Sequence, residues 1–120
     1  MDYIKAISEK KNEAKRLMTS EQFEKCGQAI VFGIMGNPSL LVLADLTSSN
    51  RVKMVIALGK VFNQRISGRE AEKKISTVLK SIRVDGNIFT AVFPGAQKHS
   101  SEITELMGWI IAIDFARIRK

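Results

Sequence analysis

A chain of 120 residues, 45% of them hydrophobic, is long enough for one domain with a core and too apolar to be intrinsically disordered. Its net charge of +7, from 19 Lys and Arg against 12 Asp and Glu, favours an anionic partner such as nucleic acid or an acidic protein. The alternative is a basic protein with no such partner. A single cysteine excludes a disulfide within the chain and a cysteine-based metal site.

The N-terminal part is expected to be helical. Apolar residues at helical spacing predict a first amphipathic helix over residues 2–18. Thr19 or Ser20 can cap a second helix over residues 21–35. A Gly-Asn-Pro turn then leads to a short helix over residues 39–46, which is apolar nearly all round and therefore central.

The middle of the chain contains two helix starts. The sequence Thr-Ser-Ser-Asn at residues 47–50 can cap a helix over residues 51–65. The pair Ser67 and Glu70 has the spacing of a capping box, which opens a helix over residues 69–82. We expect the two helices to be joined by a short turn.

The C-terminal part contains a strand signal and a long helix. Asp85-Gly86 favours a turn into a strand over residues 87–93, followed by a polar loop. Ser100 or Ser101 then caps a last helix over residues 102–120.

A different interpretation of the apolar runs stays open. Residues 28–35 and 40–46 can form a β-hairpin, with residues 108–115 as a further strand, because periodicity cannot separate short apolar strands from buried helices. This alternative gives an α+β fold with a small antiparallel sheet. It leaves open whether residues 29–46 are helical.

The helix over residues 69–82 has two chemically distinct sides on a helical wheel at about 100° per residue. Its apolar side contains Ala71, Ile75, Val78, Leu79 and Ile82. The opposite side contains Arg69, Lys73, Ser76, Thr77 and Lys80. Cations and hydroxyls are the groups that contact phosphate oxygens and base edges. A solvent-facing helix surface with no ligand is the simpler explanation of the same pattern.

The order helix, turn, helix, strand, basic loop, helix resembles that of a winged helix-turn-helix domain. The fold expected from this resemblance is mainly α, a helical domain with one β-hairpin. A single domain over residues 1–120 would comprise N-terminal helices at 1–48, the helix-turn-helix and wing-like hairpin at 49–100, and a C-terminal helix at 101–120. In such a domain Arg83 and Lys98 would hold the nucleic-acid backbone.

Two apolar residues of the last helix have two interpretations. Trp109 and Ile113 lie to one side of its main apolar face. If they are exposed, they form the contact of a homodimer, as in regulators of the winged-helix type. If they are buried, both sides of the helix belong to the core of one chain.

These features predict a small basic nucleic-acid-binding protein, a dimeric winged-helix-type transcriptional regulator that binds DNA rather than RNA. The alternative is a helical protein-interaction module, an accessory factor or inhibitor that docks on an acidic partner. One histidine, His99, and one cysteine, Cys26, leave little for acid–base or metal chemistry, so we expect no enzyme, no catalytic residue and no cofactor. Cys26 is expected to be a buried core thiol.

The expected location is the cytoplasm, without membrane contact. The sequence begins with charged residues rather than a signal peptide, and its longest apolar region, residues 29–46, is broken by a turn.

Overall fold

The computed structural model describes residues 3–35, 43–82 and 100–118, and nearly all of these residues are helical. The helices are α1 (Tyr3–Leu17), α2 (Ser20–Met35), α3 (Leu43–Val61), α4 (Gly68–Ile82) and α5 (Ser100–Ile118).

The expected fold class is wrong. The three described ranges contain no β-strand, so neither a winged-helix-like domain with a β-hairpin nor the α+β alternative fits. Residues 29–35 lie in α2 and residues 108–115 lie in α5, which removes two of the alternative's strands. The run in α5 is apolar because that helix is buried on more than one side, whereas Val31 and Phe32 in the run of α2 are 52% and 48% exposed. The strand expected at residues 87–93 lies outside the described residues.

Two helix starts are set by local side-chain hydrogen bonds. Thr19 and Gln22 form a capping box before α2: the Gln22 amide donates to Thr19 Oγ1 at 3.1 Å, and the Thr19 amide donates to Gln22 Oε1 at 3.0 Å. The box predicted at Ser67 and Glu70 is confirmed, with corresponding distances of 3.1 Å and 3.2 Å. α4 therefore begins where the sequence indicates.

α3 runs without interruption from Leu43 to Val61, so the cap expected at residues 47–50 and the separate short helix before it are wrong. Asn50 is only 7% exposed, and the next residue, Arg51, donates a hydrogen bond from Nε to Oγ1 of Thr104 on α5 at 3.0 Å. Ser, Thr and Asn favour caps by roughly 1 kcal/mol, a local preference that the burial of Asn50 and the contact of Arg51 with α5 outweigh.

The end of α3 is a left-handed cap. Asn63 has a φ of 59°, the Gln64 amide donates to the Gly59 carbonyl at 2.8 Å, and the Asn63 amide donates to the Lys60 carbonyl at 3.1 Å. This is the Schellman arrangement, which Asn tolerates better than most residues. A Cβ at Gly59 would lie 2.7 Å from the Gln64 carbonyl oxygen, so the reversal requires glycine there.

α5 is the central helix and contacts each of the other four. Its buried side chains point in all directions, and they include Trp109 at 2% exposure and Ile113 at 3%. The homodimer contact expected from these two residues is therefore corrected: both lie in the core of one chain and present no surface to a second copy. The core is formed by Ile7, Ala14, Cys26, Ile30, Met54, Val55, Leu58, Phe62, Ala71, Val78, Ile103, Leu106, Met107, Trp109, Ile111, Ala112, Ile113 and Phe115.

Glycines allow α2, α3 and α5 to approach each other around Met54. A Cβ at Gly33 of α2 would lie 2.7 Å from Met54 Sδ, and a Cβ at Gly108 of α5 would lie 3.3 Å from the same atom. Met54 is completely buried between them. Flexible thioether side chains fill such irregular spaces well.

Across the part of the chain that the structure describes, no helix combines the length and the apolar character that crossing a membrane requires.

Candidate nucleic-acid interface

α4 separates its apolar and polar residues as the sequence predicts. Ala71 and Val78 are buried, and Ile75 and Leu79 are partly buried against the core. The five predicted site residues on this helix are all exposed: Arg69, Lys73, Ser76, Thr77 and Lys80. The structure therefore brings these five side chains together on one solvent-facing side. Arg83 and Lys98, the other two predicted site residues, lie outside the described residues.

The exposed side of α4 contains a row of cations. Arg69, Lys73, Ser76 and Lys80 follow one another at intervals of four, three and four residues, so they form one line along the helix. We call this line the α4 ridge. At about 1.5 Å per residue it is roughly 16 Å long.

The cations of the α4 ridge are not neutralised by described carboxylates. Arg69, Lys73 and Lys80 form no ion pair with any carboxylate in the described part of the chain. The two acids of α4 are placed differently. Glu70 accepts a hydrogen bond from the Ser67 amide at the helix start, and Glu72 is exposed at the flank of the ridge. The ridge therefore remains a positively charged surface.

Lys74 has a different role from its neighbour Lys73. Its Nζ lies 4.9 Å from the ring centroid of Phe115 on α5, over the aromatic ring. A cation in this position is attracted by the ring's negative face. Lys74, with Ala71 and Val78, therefore holds α4 against α5 and leaves the ridge facing water.

Most of the net positive charge of the protein comes from one segment of the chain. Residues 50–82, which we call the basic segment, contain eight basic and two acidic residues, a net charge of +6. The rest of the chain contains 11 basic and 10 acidic residues. Nearly the whole net charge therefore belongs to the second part of α3, the turn after it and α4.

Five of the eight cations of the basic segment are not among the site residues predicted from sequence, and two of these five lie together. Lys60 at the end of α3 and Arg65 in the turn line one open cleft. The residue that could have indicated this pair is Asn63, whose left-handed conformation reverses the chain between Lys60 and Arg65. An Asn at a helix end suggests such a reversal, but the cleft depends on the tertiary position of the turn.

Cys26 is confirmed as a buried core thiol. Its side chain is completely buried, and burial raises the pKa of the thiol to about 12. A thiol protonated at neutral pH is a poor nucleophile and a poor metal ligand. Among the described residues, no three His, Cys, Asp or Glu side chains are grouped as metal ligands.

The protein-interaction alternative loses its contact surface. It depends on an exposed apolar side of the last helix, and Trp109 and Ile113 are buried on that side. The positive charge that would steer an acidic partner is still present in the basic segment.

Comparison of the chain with protein-family models, with curated proteins and with solved structures gives no match in any of the three.

Proposed function

We propose that this protein binds duplex nucleic acid, DNA rather than RNA, through the α4 ridge. The observation that carries the proposal is the exposure of Arg69, Lys73 and Lys80 in one line without ion pairs to described carboxylates. Binding of this kind is driven by neutralisation of phosphates and release of counterions. A winged-helix organisation is not part of the proposal.

The dimensions of α4 suit the major groove of B-form DNA. An α-helix with its side chains is about 10–12 Å wide, and this groove is about 12 Å wide. A ridge of roughly 16 Å spans about five base pairs at 3.4 Å each. The major groove of A-form RNA is too narrow for such a helix, which is why duplex DNA is favoured.

The exposed side of α4 carries two groups of residues, the cations of the ridge and the hydroxyls of Ser76 and of its neighbour Thr77. Arg69, Lys73 and Lys80 can each neutralise a phosphate, which gives affinity without sequence preference. Ser76 and Thr77 carry hydroxyls that can either donate to or accept from groove edges. The charges therefore supply most of the binding energy and the hydroxyls a weak base preference.

Single-stranded nucleic acid is a poorer fit to the basic segment. Proteins that bind single strands stack bases on exposed aromatic side chains. The only aromatic residue of the basic segment is Phe62, which is 1% exposed and belongs to the core. Without a stacking surface, the contacts available are to the phosphate backbone and groove edges of a duplex.

The experiment is a salt titration of binding to a short random DNA duplex, measured by fluorescence anisotropy. The K73A/K80A variant is compared with R16A/K25A, which removes two exposed cations from α1 and α2. Because each phosphate contact contributes about −0.9 to the slope of log K against log salt, K73A/K80A should make that slope less negative by roughly 1.8.

The control variant R16A/K25A should retain the wild-type slope. Equal losses in the two variants would mean that only the net charge matters, and the ridge would not be the interface. If the wild-type protein shows no duplex binding at low salt, the proposed function is wrong. A duplex RNA of the same sequence should bind more weakly than the DNA.

A further inference from the structure

A cleft of about 620 Å³ lies at the turn between α3 and α4. It is lined by Ile56, Lys60, Asn63, Arg65 and Ile66. Ile56 and Lys60 are one helical turn apart on α3, so they lie on the same side of the helix. The left-handed Asn63 then reverses the chain and brings Arg65 and Ile66 back to that side.

The cleft combines two cations with an apolar surface. Lys60 and Arg65 are exposed and form no ion pair with any carboxylate in the described part of the chain, while Ile56 and Ile66 are half-buried. Asn63 adds an amide that has both donors and an acceptor. The nearest described acid along the chain, Glu70, is four residues from the lining, and its carboxylate accepts a hydrogen bond from the Ser67 amide.

The backbone at the end of α3 is compatible with an anion. The last carbonyls of a helix normally present partial negative charge. Here the Gly59 carbonyl accepts hydrogen bonds from the Phe62 and Gln64 amides, and the Lys60 carbonyl accepts one from the Asn63 amide. These two carbonyls are satisfied within the turn and are not free to oppose an anion held by the side chains of Lys60 and Arg65.

We propose that this cleft binds a nucleotide with a terminal phosphate. Lys60 and Arg65 hold the phosphate, because guanidinium and ammonium groups are the main protein ligands of phosphate oxygens. Ile56 and Ile66 pack against the sugar or base. The Asn63 amide pairs with the edge of adenine, which presents an adjacent acceptor and donor. The volume of the cleft lies within the range of small-ligand sites, about 300–1,000 Å³.

None of the residues that line the cleft belongs to the α4 ridge, so the two proposals can be tested with different variants. Two kinds of ligand present the groups that this cleft would bind: a free nucleoside monophosphate and the 5′-phosphorylated end of a nucleic-acid strand. Both present a dianionic phosphate next to a sugar and a base, and they differ in whether a second nucleotide follows.

The experiment is a titration with adenosine 5′-monophosphate (AMP), followed by NMR of isoleucine methyl groups. The methyl signals of Ile56 and Ile66 should shift, and the K60A/R65A variant should bind at least about tenfold more weakly, as expected for loss of two charge-assisted contacts. The control R16A/K25A also removes one Lys and one Arg, from α1 and α2, and should bind AMP as the wild type does. Adenosine and inorganic phosphate, tested separately, should each bind more weakly than AMP.

Three results would overturn the proposal: no shift at Ile56 and Ile66, equal weakening in K60A/R65A and R16A/K25A, or binding of inorganic phosphate as tightly as AMP. Short oligonucleotides with and without a 5′-phosphate separate the two sources, since a preference for the phosphorylated strand assigns the cleft to strand ends. K73A/K80A separates this proposal from the ridge, because it should weaken duplex binding and leave AMP binding unchanged.

Discussion

Gly108 of α5 lies against Ile30 of α2 so closely that a Cβ at Gly108 would come within 2.6 Å of Ile30 Cγ1. Both residues are buried, and the neighbouring Met54 of α3 is also in contact with this point. The packing of the three helices therefore depends on the absence of one methyl group.

We expect the G108A variant to be less stable than the wild type by about 1–3 kcal/mol, although alanine favours helices over glycine by roughly 1 kcal/mol. Chemical denaturation followed by circular dichroism measures the change. Gly27 of α2 is the matched control, because a Cβ there would meet no atom within 4 Å. G27A should therefore stabilise the protein by about 0.5–1 kcal/mol.

A double variant tests whether Ile30 is the cause of the clash. In G108A/I30A the added methyl group gains the space that the isoleucine side chain leaves. The loss of stability should be smaller than the sum of the two single losses, by more than about 0.5 kcal/mol. Additive losses would show that the strain arises elsewhere.

The second prediction concerns how much the hydrogen bond between Arg51 and Thr104 contributes to stability. Burial lowers the pKa of the Arg51 guanidinium, and Thr104 is 3% exposed, so the bond lies in a largely dry interface between α3 and α5. T104V keeps the shape and removes the acceptor. It should reduce the free energy of unfolding by about 1.5–3 kcal/mol, the usual range for a hydrogen bond to a charged group.

T104S is the control for this prediction, because serine keeps the hydroxyl and loses only a methyl group. Its cost should be about 0.8 kcal/mol, the value of one buried methylene. A T104V loss no larger than that of T104S would mean that the hydrogen bond contributes nothing to stability.

The indole ring of Trp109 makes favourable contacts, including Lys11 Nζ at 5.9 Å from its centroid, but its N–H is unsatisfied among the described residues. Its ring stacks on Phe23 with centroids 4.9 Å apart, while its buried Nε1 has no hydrogen-bond acceptor among the described residues. W109F removes the unsatisfied N–H and keeps an aromatic ring, so two effects oppose each other. We expect a net change within about 1 kcal/mol, measured by urea denaturation with circular dichroism.

W109L removes the N–H and the stacking together, so it should cost more than W109F by about 0.5–1.5 kcal/mol. If W109F is as destabilising as W109L, Nε1 has an acceptor and the stacking adds little.

From the burial of the Cys26 thiol we expect the protein to become less stable in alkaline solution. Burial raises the thiol pKa from 9.0 to about 12, so between these values the unfolded chain releases a proton that the folded chain retains. The stability that the protonated, buried thiol contributes is complete below about pH 9, and it falls as the pH rises from there towards about 12. Between about pH 8 and about pH 10 the free energy of unfolding should fall by roughly 1.4 kcal/mol more in the wild type than in C26A.

The other titrating groups are the same in both proteins, so the difference in unfolding free energy between wild type and C26A isolates the effect of the thiol. A constant difference between wild type and C26A across this pH range would mean that the thiol is already ionised or accessible in the folded state.

Local patterns were sufficient for several elements of the fold. The capping box of Ser67 and Glu70 specifies the start of α4, because both hydrogen bonds are made within four residues. The exposed side of α4 also follows from periodicity, since a helix with apolar and charged sides has one way to bury the apolar side. These features need no information from distant residues.

Other features depend on contacts between residues far apart in the chain. Residues 47–50 have the composition of a cap, yet α3 continues through them beside the contact of Arg51 with Thr104. Trp109 and Ile113 are buried because α5 is surrounded by four helices, which its own sequence cannot reveal. The cleft of Lys60 and Arg65 likewise exists only because the chain reverses at Asn63. Hydrogen bonds within a turn are encoded locally, whereas burial depends on which other surfaces the folded chain places nearby.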